Sequence, residues 1–336
     1  MPFVNELVKY RSVSIVGMSK NAGKTECLNY VLGRLENSYD LSVCLSSIGI
    51  DGEKRDQVTE TDKPEISLPA GMYFVTSEKH YLERRLTSEI LDVSNERTAL
   101  GRLITAKVIN RGKLLISGPS STIGLRRLIN HTSRLGIDLT IIDGALSRLS
   151  LASPTVSEAM ILATGAAVSK NIGELVRQTA ALYRLICLCD TGNPHLVERL
   201  LPLEKGLFGI DKDGYVHDLG IRTALQIPRD ELPILQQYST IYAAGAVNDK
   251  LLEQLRVDAA GCRLIVRDFT RIFAKPTAVD LFLRSGAELR VLFATKLIAL
   301  TVNPQSPDGY LLDSTRLREE MQAALKIPVY DVKQMG

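Results

Sequence analysis

Short runs of β-branched and other apolar residues, bounded by turn residues, alternate along the chain with stretches of helical period. This order predicts an α/β fold with a mostly parallel sheet covered by helices on both faces. Residues 12–16 read as a buried strand, and 24–35 as the helix after it, with Leu28, Val31, Leu32 and Leu35 on one face. Further strands are predicted at 41–48, 72–75, 114–117, 139–142 and 185–188, and helices at 82–91, 125–135 and 172–183. From about Gly206 the units shorten, with strands at 207–210, 241–244, 263–266 and 291–293 and helices at 250–255 and 279–283. A strand at 296–302, a helix at 314–325 and a short run at 329–330 complete the pattern.

Composition narrows the partners. The 336 residues carry 41 Lys and Arg against 38 Asp and Glu, a formal charge of only +3, so nothing points to nucleic acid or an anionic membrane as the main partner. Aromatic residues make up 5% and Trp is absent, which argues against stacking platforms for bases. The five cysteines lie in apolar stretches without C-x-x-C pairs, and the N-terminus does not read as a signal peptide; reduced thiols in a cytoplasmic protein are expected. The apolar stretch 289–302 is broken by Arg290 and Lys296 and is shorter than the ~20 residues a membrane span needs.

The segment with the most chemistry runs from Ser12 to Thr25, where a strand leads through Gly17-Met-Ser-Lys-Asn-Ala-Gly23-Lys24-Thr25 straight into a helix. Backbone amides at such a helix start, with the helix dipole behind them, suit a phosphate. Ser19, Lys20, Asn21, Ala22, Gly23, Lys24, Thr25 and Glu26 are therefore the expected phosphate-loop residues. Gly23 permits close backbone approach, Lys24 reaches the β and γ phosphates of a nucleotide, and the Thr25 hydroxyl ligates Mg²⁺. Five residues rather than the usual four separate Gly17 from Gly23, which leaves Met18 where the first glycine would stand.

Phosphoryl transfer needs placed charge, so carboxylates are expected at strand ends near this loop. Asp143 ends the apolar run 139–142 and precedes Gly144-Ala145, as a metal-binding carboxylate would; capping of the next turn is the plainer role. Asp51 follows the second strand, where P-loop proteins of the class that this loop resembles place a switch carboxylate around Mg²⁺; a simple Asp-Gly turn is the alternative. Lys24, Asp51 and Asp143 are thus the catalytic candidates, and Thr25, Asp51 and Asp143 the metal candidates. The loop 117–121 follows a predicted strand and is a place for a substrate or a switch, and Arg148 is a candidate charge neutraliser.

Asn303-Pro304 after the strand 296–302 is a turn initiator or, as its resemblance to the strand-then-Asn segment of dethiobiotin synthetase relatives implies, a reader of adenine. No N-K-x-D tetrad of guanine readers occurs, and that resemblance implies ATP rather than GTP. The four histidines show no H-E-x-x-H spacing and no G-x-S-x-G elbow is present, so metalloprotease and hydrolase readings lose their signals. Asp211-Lys-Asp213-Gly214 reads as a hairpin turn, without the ligand series of a calcium loop.

The loop with its extra residue, Asp143-Gly-Ala and the strand-then-Asn303 segment resemble the dethiobiotin synthetase and cobyrinate amidase branch of P-loop proteins, within the MinD-like class. Some members of that class carry an early loop lysine that contacts phosphate across a homodimer. Lys20 lies one position from that place and is otherwise a solvated loop lysine. More narrowly, the segments 47–53, 58–64, 142–148, 161–166 and 301–307 resemble the P-loop subunit of the lysine 5,6-aminomutase reactivase.

That resemblance implies a Mg²⁺- and ATP-dependent helper of lysine fermentation. Its client would be an adenosylcobalamin-dependent aminomutase, and a MutS-like ATPase its companion subunit. The competing expectations are a ligase of the dethiobiotin synthetase type acting on a small carboxylate or amine, and a nucleotide-sensing scaffold. A nucleotide domain of about 200 residues leaves a surplus. The expected division is 1–190 for the nucleotide domain, 191–288 for an inserted α/β unit and 289–336 for the returning segment.

Overall fold

The computed structural model describes residues 3–38, 40–48, 66–145, 153, 156–224, 227, 232–256 and 261–335. The chain divides into two compact units, Met1–Thr179 with Leu297–Gly336, and Ala180–Lys296. Both are α/β with mixed sheets, and the sheet of the first is mostly parallel. Among the described residues, no helix is long and apolar enough to cross a membrane.

In the first unit the chain runs α1 (Val4–Leu7), β1 (Ser12–Gly17), α2 (Lys24–Ser38), β2 (Val43–Ser47), β3 (Ile66–Leu68), β4 (Tyr73–Ser77), α3 (Glu78–Leu82), β5 (Arg85–Thr98) and β6 (Gly101–Leu114). It continues through α4 (Thr122–Arg134), β7 (Leu139–Ala145), β8 (Ala159–Gly165) and α5 (Ile172–Ile186), which leads into the second unit.

The second unit holds α6 (Pro194–Leu200), β9 (Leu207–Ile210), β10 (Val216–Asp218), α7 (Leu232–Leu235), β11 (Thr240–Ala243), α8 (Asp249–Arg256), β12 (Arg263–Val266), α9 (Pro276–Arg284) and β13 (Glu288–Val291). The chain then returns to the first unit with β14 (Leu297–Asn303), α10 (Ser314–Leu325) and β15 (Val329–Tyr330).

The first sheet has the order β15-β14-β8-β1-β7-β2-β4-β6-β3, with β5 paired to β6. From β15 to β4 every pair is parallel, whereas β3, β4 and β5 each pair antiparallel with β6. The central strands have apolar residues on both faces, which is why they read as continuous runs. Val13, Ile15, Val43, Leu45 and Ile161 face Leu28, Val31 and Leu35 of α2, while the alternate residues Cys44 and Ile142 join Leu125 and Leu128 of α4. Burying a side chain such as Leu28 contributes about 1.5–3 kcal/mol. Ser121 starts α4 by accepting a hydrogen bond from the Gly124 amide at 3.0 Å.

Strand β1 sits between β7 and β8. The crossover through α2 carries the chain from β1 past β7 to β2, whereas β8 leads on toward β14 on the other side. The connections therefore diverge at the carboxyl ends of β1 and β8, the kind of crevice in which open α/β sheets take ligands.

The second unit's sheet has the order β10-β9-β11-β12-β13, with β11, β12 and β13 parallel and β9 antiparallel to both β10 and β11. Ile241, Leu264, Val266 and Val291 pack with Leu251 and Leu255 of α8 and Phe282 of α9.

Several expectations are corrected here. Residues 82–91 are not a helix: after α3 they enter β5, which forms a long hairpin with β6. The predicted strand 114–117 is the end of β6 and the loop after it, because pairing with β4 and β5 sets the strand over Gly101–Leu114. Residues 185–188 are not a strand, since α5 continues to Ile186 and Leu185 and Leu188 pack on the second core. Ladder pairing of Arg263 with Glu288 and of Val266 with Val291 shifts the predicted strand 291–293 to Glu288–Val291. The unit boundaries fall at 179/180 and 296/297 rather than 190/191 and 288/289, because α5 carries into the second unit and β13 is a strand of its sheet.

Candidate functional site

The loop 17–25 leaves the sheet at the carboxyl end of β1. The Met18 amide still donates to the Ala163 carbonyl at 2.8 Å, and the chain then turns, with the Ala22 amide donating to the Ser19 carbonyl at 3.4 Å. Asn21 and Gly23 take left-handed φ values of 62° and 93°. The Ala22 side chain is buried, whereas Lys20 and Glu26 are exposed and Ser19 and Thr25 half-buried. The Cys27 amide donates to the Gly23 carbonyl at 3.0 Å and closes the first turn of α2. The amides of Lys24, Thr25 and Glu26 precede that bond, as orphan donors at a helix start do.

Gly23 is required by its surroundings. A Cβ on it would stand 2.5 Å from Asn303 Cβ, and a Cβ on Gly165 would stand 2.1 Å from the Asn303 carbonyl oxygen. Asn303 therefore lies against two glycines at the end of β14. Its carbonyl accepts the Ala166 amide at 2.9 Å and its Oδ1 accepts the Gln305 amide at 3.3 Å, a turn of the Asn-Pro type.

Lys24 and Asp143, chosen separately from sequence, meet. Lys24 Nζ is 2.8 Å from Asp143 Oδ1, and both side chains are about three-quarters buried, at 25% and 20% relative exposure. Strand register makes the meeting possible: Asp143 on β7 pairs with Ile15 of β1 on one side and with Ser47 of β2 on the other. Ser47 Oγ donates to the Asp143 carbonyl at 3.1 Å and ties the two strand ends together. Below the loop the Cys27 thiol is pushed up to about 12 by burial, against a hydrogen bond with Thr301 that lowers it; the charge of Asp143 raises it further. At the rim, Glu26 is 3.4 Å from Lys333 Nζ, which also donates to Gln305 Oε1 at 3.2 Å.

Asp51 and Arg148 lie outside the described residues, as do the segment 58–64, most of 47–53 and the end of 142–148. The loop 117–121 has a role in the sheet edge that its sequence does not announce. A Cβ on Gly118 would fall 1.8 Å from the Ser47 carbonyl oxygen, so this glycine lets the loop lie on the end of β2. Ser117 is buried, with its Oγ accepting the Ser77 amide at 2.8 Å and lying 3.1 Å from Thr76 Oγ1 and 3.2 Å from His80 Nδ1. His80 is one of the four histidines without a spacing signal, and its partner Ser117 lies 37 residues away in the chain.

Among the described residues no group of three or more His, Cys, Asp or Glu side chains stands together as a metal site. The oxygen donors at the loop, the Asp143 carboxylate and the Thr25 hydroxyl, are of the hard kind that suits Mg²⁺, which keeps several waters and takes few protein ligands. Comparison with protein-family models, with curated proteins and with solved structures found no match to this chain.

Proposed function

We propose that the chain is a P-loop nucleoside triphosphatase that binds Mg·ATP. The observation that carries this reading is the Lys24–Asp143 ion pair at 2.8 Å, set where the loop 17–25 leaves β1 beside a crevice of the sheet. A lysine on a phosphate loop and a carboxylate on the neighbouring strand form a neutral pair that a nucleotide and its cation replace together. Phosphate takes the ammonium and the metal takes the carboxylate.

In this reading the amides of Gly23, Lys24 and Thr25 and the Lys24 ammonium hold the phosphates, and Thr25 and Asp143 hold Mg²⁺. When bound, the metal neutralises charge that develops on the transferred phosphoryl group. Asp51 completes the metal set, and Asn303, at the end of β14 against Gly23, supports adenine as the base.

The nucleotide cycle would drive reactivation of an adenosylcobalamin-dependent lysine aminomutase. That client rests on the resemblance of the segments 47–53, 58–64, 142–148, 161–166 and 301–307. The physical scheme is a two-state switch that γ-phosphate and Mg²⁺ would bias through Asp51 and Asp143 and that hydrolysis would release. Phosphate release measured alone, with an inactivated aminomutase, and with small carboxylates or amines tests this. Stimulation by the aminomutase is expected. Turnover that requires a small carboxylate or amine would replace the helper by a ligase, and nucleotide binding without release in any arm would leave a sensing scaffold.

A further inference from the structure

Three of the five cysteines, Cys27, Cys44 and Cys262, are buried, whereas Cys187 and Cys189 are exposed and have a single residue between them. Both belong to the second unit. The backbone is fixed on either side of the pair. The Cys187 amide donates to the Tyr183 carbonyl at 3.0 Å and closes the last turn of α5, and the Cys189 carbonyl accepts the Val291 amide at 3.1 Å at the end of β13. Leu185 and Leu188 pack on the second core and Ile186 is buried. The residues before and between the two cysteines thus face inward, and both thiols are left on the outside of an ordered segment.

The sulfurs are near enough to act on one another. Partial burial raises the Cys187 thiol above its ordinary value, against a hydrogen bond with the Tyr183 hydroxyl that lowers it; the charge of Cys189 raises it further. With one residue between them, the two Cα atoms are at most ~7 Å apart. A disulfide usually spans about 4.4–6.8 Å between Cα atoms, so a small local adjustment brings the pair within its reach. The ring that such a bond encloses is short and strained, which marks a labile disulfide rather than a structural one.

We infer that Cys187 and Cys189 form a reversible thiol–disulfide site, which closes by exchange with a low-molecular-weight disulfide of the glutathione kind and reopens in excess thiol. The raised Cys187 thiol is the slower nucleophile, because the thiolate is the attacking species, so Cys189 attacks first. Its sulfur bonds to one sulfur of the oxidant, whose own S–S bond breaks and releases one thiolate. Cys187 then gives up its proton to solvent and attacks Cys189 Sγ, and the second glutathione leaves. The chain loses two electrons and two protons, and the oxidant is reduced to two thiols.

The full chain, held in mixtures of reduced and oxidised glutathione, then alkylated and weighed by mass spectrometry with peptide mapping, tests this. Loss of two hydrogen atoms is expected, with the bond between Cys187 and Cys189, no glutathione retained, and both thiols recovered in dithiothreitol. Cys187→Ser should hold one glutathione on Cys189, because no second thiol is there to displace it. Three results would overturn the inference: glutathione that stays on the unaltered chain at either cysteine, thiols at both positions that remain free in oxidised glutathione alone, or a bond from either to Cys27, Cys44 or Cys262. The measurement on the unaltered chain needs no variant to fold and no nucleotide, so its outcome is separate from that of the phosphate-loop reading.

Discussion

Asn303 occupies the space that a side chain on Gly23 would need: a Cβ there would stand 2.5 Å from Asn303 Cβ, on a backbone already at φ +93°. Two independent constraints thus hold the residue before Lys24 as glycine. Gly23→Ala should cost about 1–3 kcal/mol of stability, from the left-handed backbone and the contact together. Removing the contact with Asn303→Gly in the same chain should restore part of that loss but not all, since the backbone term stays. Urea denaturation of the two single variants and the double variant checks this, and simple additivity of the losses would contradict it.

Glycines elsewhere in the same unit should behave in opposite ways. Gly118 has no room, with the Ser47 carbonyl oxygen 1.8 Å from any Cβ, so Gly118→Ala should destabilise by roughly 2 kcal/mol or more. Gly33 in α2 has nothing within 4 Å of its Cβ position. Gly33→Ala should therefore stabilise by about 0.5–1 kcal/mol, through helix propensity and a less free unfolded chain. Thermal melts of the two variants should move in opposite directions from the parent.

The parts of the fold that were legible are those in which local pattern and tertiary environment agree. The strand at Ser12, the helix from Lys24 and the helix Ser314–Leu325 carry their own periodicity and start signals, and the structure has them there. The β5–β6 hairpin does not. Leu82, Leu86 and Ile90 are spaced by four like a helical face, yet pairing of β6 with β4 and β5 fixes an extended chain, with register shifts along β5 that blur strict alternation. Strand β8, like β1, is buried along its whole length, so alternation marks neither; β1 is legible from the Gly-Lys-Thr loop that follows it, and no such signal follows β8. In the site, Lys24 and Asp143 were each legible from a strand end and its neighbours. Their 2.8 Å approach depends on β1 and β7 being adjacent, which a single sequence does not state.

The hairpin of β9 and β10 offers an acid-range test. The Asp211 carboxylate is held below its ordinary range chiefly by the hydrogen bond with His217 Nε2 at 2.8 Å, and also by the amides of Tyr215 and Asp213. A depressed folded value means that the stabilisation is complete above the ordinary carboxylate range and drains away as pH falls through the lower folded value. Wild type should thus exceed Asp211→Asn in denaturant midpoint near pH 5, with the gap closing toward about pH 2. A gap that stays constant over that range would show that the carboxylate's charge plays no part.

Binding of Mg·ATP to the parent chain and to Lys24→Ala, measured side by side by calorimetry with circular dichroism melts as the control for folding, addresses the central claim most directly. The Lys24 ammonium now faces Asp143, and in the proposed cycle it faces the β and γ phosphates. The parent should bind Mg·ATP, and Lys24→Ala should lose roughly a hundredfold or more in affinity with its melt preserved. Equal affinity in the two proteins, or no binding by the parent, would contradict the assignment of this loop to a nucleotide.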